Sequence, residues 1–235
     1  MIRPAPLTLP DGPVLVVAPH PDDETLGCGG LIAAAVARGL ATHVLFVTDG
    51  GASHPGSRAW PRARLARRRE AEAEEALRRL GAGGAPRTFL RLPDAGMPPR
   101  GSPAHAEALG TVTRLVRDLG PALVLLPWRR DPHRDHRDAW ALATEALARA
   151  PARPEVLEYA IWLDELGAPE DHPAATEMEP VSLRVSPEVK RGALRAHASQ
   201  LGLLVEDDPT GFVLGPATID RLTGPEEIYW RPCER

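Results

Sequence analysis

The chain has 235 residues, 43% of them hydrophobic, and its 28 basic and 32 acidic side chains give a formal net charge of −4. This composition excludes a disordered chain, and the mild acidity argues against a general nucleic-acid binder. No segment approaches the about 18 consecutive apolar residues of a membrane-spanning helix, and residues 1–13 do not resemble a secretory signal. We therefore expect a cytoplasmic protein without a membrane partner. With eight histidines and two cysteines, any metal site would use imidazoles and carboxylates.

Strands and helices alternate over the first 160 residues. The predicted strands, rich in consecutive apolar residues, are Val14–Ala18, Thr42–Thr48, Arg87–Leu92, Ala122–Pro127 and Val156–Trp162. The predicted helices between them are Leu26–Arg38, Arg58–Leu80, Ala104–Leu119 and Asp138–Arg149. This alternation predicts an α/β fold, an open and mostly parallel sheet with helices on both faces.

The last third of the chain is less regular. It contains predicted strands at Val181–Val185 and Glu227–Trp230, a predicted helix at Pro187–Leu201, and loops at 167–176 and 206–216. Because we find no internal repeat and no linker, we expect a single domain that spans residues 1–235.

The first cluster of chemically active residues follows the first predicted strand. Residues 19–24 contain His20, Asp22 and Asp23 as well as a third acid. Acids packed into so tight a turn repel one another unless a cation neutralises them, and a divalent metal accepts both imidazole and carboxylate. The alternative is a simple helix cap, in which one Asp satisfies the start of the next helix.

The second cluster, His133, Asp135 and His136, follows the fourth predicted strand. A capping loop is again the alternative. In the common strand order 3-2-1-4-5, however, the first and fourth strands are neighbours, and ligands bind where the order reverses. The two clusters together predict a metal site at this switch point. A three-ligand site would suit catalytic zinc, which keeps one position open for water.

These paired motifs resemble those of the PIG-L/LmbE-like family of zinc-dependent N-deacetylases. The resemblance extends over residues 14–200 and includes Thr48–Gly50, Arg69 with Glu72, Leu92–Met97, Lys190 and Ala196–Gln200. It implies a Rossmann-like fold and removal of an N-acetyl group from an N-acetylglucosamine-type conjugate, a small-molecule partner. Self-association is left open.

The resemblance also implies roles for individual residues. His20, Asp23 and His136 would bind zinc, although Fe2+ or Co2+ would suit the same ligands. Asp22 would act as general base, His133 would stabilise the oxyanion, and Asp135 would orient His133 or hold it charged. The residues expected to contact the substrate are Arg69, Asp94 and His197, with a packing role as the alternative for His197.

One position departs from the family pattern. Where some members have a tyrosine two residues before the oxyanion histidine, this chain has Asp131, which indicates a different substrate or a structural turn. Two other functions also stay open: an amidase that cleaves a larger acyl or thiol conjugate at the same metal site, and a sugar- or metal-binding module without catalysis.

Overall fold

The computed structural model describes residues 3–233, and in that range one eight-stranded sheet runs through the molecule. The strands are β1 (Ala5–Pro6), β2 (Val14–Ala18), β3 (Thr42–Thr48), β4 (Arg87–Leu92), β5 (Leu123–Pro127), β6 (Glu155–Tyr159), β7 (Met178–Arg184) and β8 (Glu226–Pro232). Their order across the sheet is β1-β7-β8-β6-β5-β2-β3-β4. All neighbouring pairs are parallel except those that β8 forms with β6 and β7.

The first five predicted strands take up the predicted order, because β4-β3-β2-β5-β6 corresponds to 3-2-1-4-5. Every residue of β2 and of β5 is buried, as the continuous apolar runs predict for parallel strands covered on both faces. Since β2 and β5 are adjacent and parallel, the loops that follow them open at the same edge of the sheet.

Helices cover both faces of the sheet, and the predicted α/β class is confirmed. They are α1 (Asp23–Ala37), α2 (Arg62–Arg79), α3 (Pro103–Leu119), α4 (Arg134–Arg149), α5 (Leu163–Leu166), α6 (Pro187–Leu194) and α7 (Pro216–Leu222). Successive residues of a strand face opposite sides. In β2, Val14 and Val16 therefore join one core with α1, α2 and α6, while Leu15 and Val17 join a second core with α3 and α4.

Two helices begin earlier than predicted, and this places the polar clusters. Helix α1 begins at Asp23 rather than Leu26, and α4 begins at Arg134 rather than Asp138. Polar residues favour the cap and the first turn of a helix, where backbone N–H groups lack partners inside the helix. The apolar periodicity starts only after that turn, which is why the prediction began too late.

The predicted helix over residues 187–201 is also divided. Helix α6 ends at Leu194, and a 3-10 turn at Ala198–Gln200 follows. In this turn Ser199 donates two hydrogen bonds to the Glu72 carboxylate of α2, from its backbone N (3.1 Å) and from Oγ (2.6 Å). This tertiary contact accounts for the break, since helix propensity alone is a weak preference.

The chain's only lysine, Lys190, belongs to α6, and its side chain is buried against β8. Its Nζ lies 2.7 Å from Oε1 of Glu227. The same carboxylate accepts hydrogen bonds from the backbone N of Gly30 (2.7 Å) and of Leu31 (2.8 Å), and from the Tyr229 hydroxyl (2.6 Å). The buried ion pair therefore joins α6 and β8 to the middle of α1.

Candidate active site

The predicted site residues meet where α1 and α4 begin. Helix α1 begins five residues after β2 ends, and α4 begins seven residues after β5 ends. The N-cap of α1 is Asp22, and the N-cap of α4 is His133. Both helix N-termini point to the edge of the sheet at which β2 and β5 end, so their first turns present polar side chains to one another.

The N-cap of α1 is unusual because the Asp22 side chain makes no capping hydrogen bond. Its backbone has a φ of 148°, a conformation that costs free energy in any residue with a side chain. The Asp22 carboxylate lies instead 3.1 Å from Nη2 of Arg69. Burial raises the pKa of Asp22 to about 6, although the Arg69 charge opposes the rise.

Asp23, in the first turn of α1, lies between two imidazoles. Its Oδ2 atom accepts a hydrogen bond from the backbone N of His20 (2.9 Å) and lies 3.2 Å from Nδ1 of the same residue. The same oxygen lies 3.3 Å from Nε2 of His136. One carboxylate oxygen thus brings together the three residues that the sequence predicts as metal ligands.

His136, in the first turn of α4, is completely buried. Neither of its ring nitrogens makes a hydrogen bond of good geometry within the described residues. The nearest partners are Asp23 and Asp131, whose Oδ2 lies 3.5 Å from Nδ1. Burial lowers the pKa of His136, but these two carboxylates outweigh it and raise the pKa to about 9. A buried imidazole without hydrogen bonds is the arrangement that metal coordination would satisfy.

Asp131, the residue that departs from the family pattern, forms a buried turn. Its Oδ1 accepts a hydrogen bond from the backbone N of His133 (2.9 Å). Its Oδ2 accepts from the backbone N of Ile161 (3.3 Å) and of Trp162 (3.2 Å). Asp131 therefore fixes the loop before α4 to the segment after β6, which supports the structural reading of this position.

His133 caps α4 with its side chain, whereas the Asp22 side chain makes no capping bond at the start of α1. Its Nδ1 accepts a hydrogen bond from the backbone N of Asp135 (3.2 Å), so the neutral ring carries its proton on Nε2. Burial lowers the pKa of His133, and the nearby His20 and His136 rings lower it further. The ring lines a cavity and can donate an Nε2–H hydrogen bond there.

The carboxylate of Asp135 faces His20. Its Oδ2 lies 3.2 Å from Nε2 of His20 and accepts a hydrogen bond from the backbone N of Ala95 (2.8 Å). Only the backbone N of Asp135 contacts the His133 ring. The first turn of α4 directs this carboxylate towards His20 rather than onto the His133 ring, although its negative charge acts to raise the pKa of His133 against the larger effect of burial. A role of Asp135 in orienting or charging His133 therefore stays a prediction.

Asp94 also faces His20. Its Oδ1 lies 3.3 Å from Nε2 of His20, and its Oδ2 accepts a hydrogen bond from the backbone N of Ala52 (2.8 Å). Arg69 donates to the carbonyl oxygens of Gly50 and Pro21, both at 2.8 Å. Asp94 and Arg69 both line the cavity, and their contact with substrate stays a prediction.

His197 does not line the cavity. It is completely buried behind α1, where its Nε2 lies 3.1 Å from Oε1 of Glu24. The sequence analysis gave Glu24 no role beyond adding negative charge. The position of Glu24, two residues after Asp22 in the first turn of a helix, is the feature of the sequence that could have indicated a role for it.

The residues present fit a divalent metal. Within residues 3–233, donor atoms that lie within 4.8 Å of one another form two groups, one of His20, His133 and His136 and one of His20, Asp94 and Asp135. Imidazole and carboxylate are ligands of zinc and of neighbouring transition metals. Because Asp94 and Asp135 also face His20, the ligand set of His20, Asp23 and His136 stays a prediction.

The cavity beside these groups has a volume of about 330 Å³. Its lining includes the polar side chains of His20, Asp22, Asp23, Arg69, Asp94 and His133. It also includes three large apolar side chains, Trp162, Leu166 and Phe212, which we call the apolar wall. The Trp162 and Phe212 rings meet edge to face at 5.6 Å. No sequence motif indicates these three residues, because Trp162 ends a predicted strand, Phe212 lies in a predicted loop and Leu166 lies between predicted elements.

The sequence is similar to those of known proteins. Residues 15–147, more than half of the chain, match the family described as PIG-L: GlcNAc-PI de-N-acetylase. The 1D-myo-inositol 2-acetamido-2-deoxy-alpha-D-glucopyranoside deacetylase of Mycobacteroides abscessus is 29% identical over 242 aligned positions, which cover 86% of this chain and 85% of that protein.

Solved structures share the fold. The N,N'-diacetylchitobiose deacetylase of Pyrococcus horikoshii has a TM-score of 0.64 at 24% identity and covers 80% of this chain and 70% of its own. GalB, the 4-carboxy-2-hydroxymuconate hydratase of Pseudomonas putida KT2440, has a TM-score of 0.69 at 20% identity and covers 95% and 97%. Because a deacetylase and a hydratase share this architecture, the fold alone does not determine the reaction.

In residues 3–233, no helix has both the length and the apolar character to cross a bilayer.

Proposed function

Because the chain belongs to the PIG-L (GlcNAc-PI de-N-acetylase) family, we propose that it is a metal-dependent hydrolase that removes the N-acetyl group from an N-acetylglucosamine-type conjugate. Its relative from Mycobacteroides abscessus is a deacetylase of such a conjugate. His20, Asp23 and His136 would hold the metal, with zinc as the first choice for these donors.

The observation that carries the proposal is the position of Asp22. Its carboxylate is released from helix capping, lines the cavity and is adjacent in sequence to the bridging Asp23. A general base works best when its pKa lies near the working pH, and burial brings the pKa of Asp22 to about 6. Arg69 fixes the direction of this carboxylate from 3.1 Å.

The chemistry then follows from the side chains around the cavity. When bound, the metal would supply a Lewis acid that lowers the pKa of water and polarises the acetyl carbonyl. Asp22 takes a proton from the water as the water oxygen bonds to the carbonyl carbon. His133 donates its Nε2–H to the oxygen that becomes negatively charged. Asp22 then gives the proton to the nitrogen as the C–N bond breaks, leaving acetate and a free amine.

The rest of the substrate would lie along the cavity. Arg69 and Asp94 would contact sugar hydroxyl groups, because both line this space and carry polar atoms. Cytoplasmic location and the single-domain boundary stay predictions from the sequence.

A direct test measures the release of acetate and of free amine from N,N'-diacetylchitobiose and from N-acetylglucosaminyl inositol, with metal content measured on the same samples. Asp22→Asn keeps the size of the side chain but cannot act as base, so we expect kcat to fall by about 10²- to 10⁴-fold with bound metal unchanged. The control is Asp118→Asn, at an exposed position on α3. Full activity of Asp22→Asn would contradict the base assignment, and metal binding without turnover in the unmodified chain would indicate a binding module.

A second candidate activity is favoured by the apolar wall of Trp162, Leu166 and Phe212. These side chains could accept an acyl group longer than acetyl, which would make the enzyme an amidase on the same metal site. Rates on N-acetyl and N-octanoyl glucosamine decide between the two activities. A higher kcat/KM for N-acetyl supports the deacetylase.

A further inference from the structure

The strained backbone of Asp22 is held by a buried residue two positions later. Glu24 is completely buried, and its Oε2 accepts a hydrogen bond from the backbone N of Asp22 at 2.9 Å. A residue at a φ of 148° keeps that conformation only where its surroundings enforce it. The Glu24 carboxylate is one such constraint, and it acts on the backbone of Asp22 rather than on its side chain.

Glu24 is fixed in turn by His197, which lies 173 residues later in the chain. Nε2 of His197 lies 3.1 Å from Oε1 of Glu24, and the Thr25 hydroxyl donates to the same oxygen at 2.7 Å. Both Glu24 and His197 are completely buried. One carboxylate oxygen of Glu24 therefore binds the backbone of Asp22, and the other contacts the side chains of Thr25 and His197, which hold Glu24 in place.

The segment that carries His197 is attached to the helix that also orients the Asp22 carboxylate. Ser199 donates twice to Glu72, and Glu72 lies three residues from Arg69 on α2. Residues three apart share a helix face. Helix α2 thus acts on Asp22 by two routes, directly through Arg69 and indirectly through Glu72, the 197–200 segment and Glu24.

We propose that Glu24 and His197 are positioning residues that hold the general base Asp22 in its strained conformation, and this proposal rests on the proposed function. His197 acts on the reaction without touching the substrate. Loss of the His197 side chain lets the Asp22 backbone relax and moves the Asp22 carboxylate from the position that a general base requires. The metal ligands and the residues that line the cavity stay in place. The kinetic consequence is a fall in kcat without a matching rise in KM.

The test compares His197→Phe, which fills the space without a donor, with His197→Gln, whose amide nitrogen can reach the place of Nε2. We expect His197→Phe to lower kcat by about 10- to 100-fold, the effect of removing a residue that orients a reacting group, with KM and metal content unchanged. His197→Gln should restore most of kcat. The structural control is Thr223→Val, which removes a buried hydroxyl at the C-cap of α7 and should leave kcat unchanged.

A second measurement is independent of turnover. Hydrogen exchange of the Asp22 amide should accelerate at least about 10-fold in His197→Phe but not in Thr223→Val, since this amide is protected by its bond to Glu24. If His197→Phe does not fold, Glu24→Leu replaces it, because a leucine side chain cannot accept the hydrogen bond of the Asp22 amide.

The outcomes separate the two claims. Unchanged exchange at Asp22 in the variants overturns the positioning role, and so does an equal loss of kcat in Thr223→Val. If the unmodified chain hydrolyses no N-acetyl sugar, the proposed function fails, while the exchange measurement still decides whether Glu24 and His197 hold Asp22.

Discussion

The N-termini of α1 and α4 build the same site in opposite ways. At α4, the N-cap His133 uses its side chain as a cap and has an ordinary φ of −74°. At α1, the N-cap Asp22 makes no side-chain cap and has a φ of 148°. The first arrangement satisfies the helix and sets the tautomer of a histidine. The second leaves a carboxylate available for chemistry, at the expense of backbone strain and an uncapped helix end.

The difference shows that a capping residue and a reacting residue can look alike in sequence. Asp is among the best N-caps, so the pattern at α1 favours a cap more strongly than the pattern at α4. The structure reverses this, because the Asp22 carboxylate pairs with Arg69 instead of capping the helix, and the Asp22 backbone N donates to Glu24. Substitutions at the two N-termini therefore test whether the two helix starts differ in this way.

The largest effect is expected in the first turn of α4. His136→Ala removes a buried imidazole that contacts Asp23, so we expect loss of the metal and a fall in kcat/KM of about 10³-fold or more. Metal analysis by mass spectrometry and amine release measure the two effects. The matched control is His172→Ala, at an exposed histidine. Full metal content in His136→Ala would remove His136 from the ligand set.

A smaller effect is expected for substitutions that separate the two roles of His133, which are the cap of α4 and the Nε2–H donor. Both His133→Ala and His133→Asn lose the Nε2–H donor, so kcat should fall by about 10²- to 10³-fold in each. Asn can still cap the helix, whereas Ala cannot, so only His133→Ala should lower the free energy of unfolding, by about 1 kcal/mol. Urea denaturation measures this difference. Equal stability of the two variants would mean that the His133 cap contributes little.

The smallest effect measures the strain at α1. Asp22→Gly and Asp22→Ala both lose the carboxylate, but only Gly adopts a positive φ easily. We expect the Gly variant to have the larger free energy of unfolding by about 1 to 2 kcal/mol, measured in urea with a chelator. The same pair of substitutions at His133 should differ by less. A difference of equal size at the two positions would show that Asp22 is not strained.

Much of the fold could be predicted because the information is local. Continuous apolar runs identify β2 and β5 as central strands, and strand order then places the two polar clusters at one edge. The antiparallel β8 and the break after Leu194 could not be predicted, since both depend on contacts between distant segments, such as Ser199 with Glu72.

For the site, the positions of the residues could be predicted, but the directions of their side chains could not. His20, Asp22, Asp23, His133 and His136 come together as expected, because strand ends fix where their loops begin. The direction of each side chain is set by the helix turn that carries it, which is why the Asp135 carboxylate faces His20 instead of His133. The apolar wall could not be predicted, since Trp162 and Phe212 belong to no sequence motif.

The buried Lys190 has a practical consequence. As it is the only lysine in the chain and is paired with Glu227 inside the protein, no other side chain offers an amine to acylating reagents. Acylation of Lys190 requires α6 and β8 to separate from α1, so its rate reports how often that part of the molecule opens. Mass spectrometry of acylated Lys190 therefore measures local unfolding at a single site in this chain, with no engineered residue.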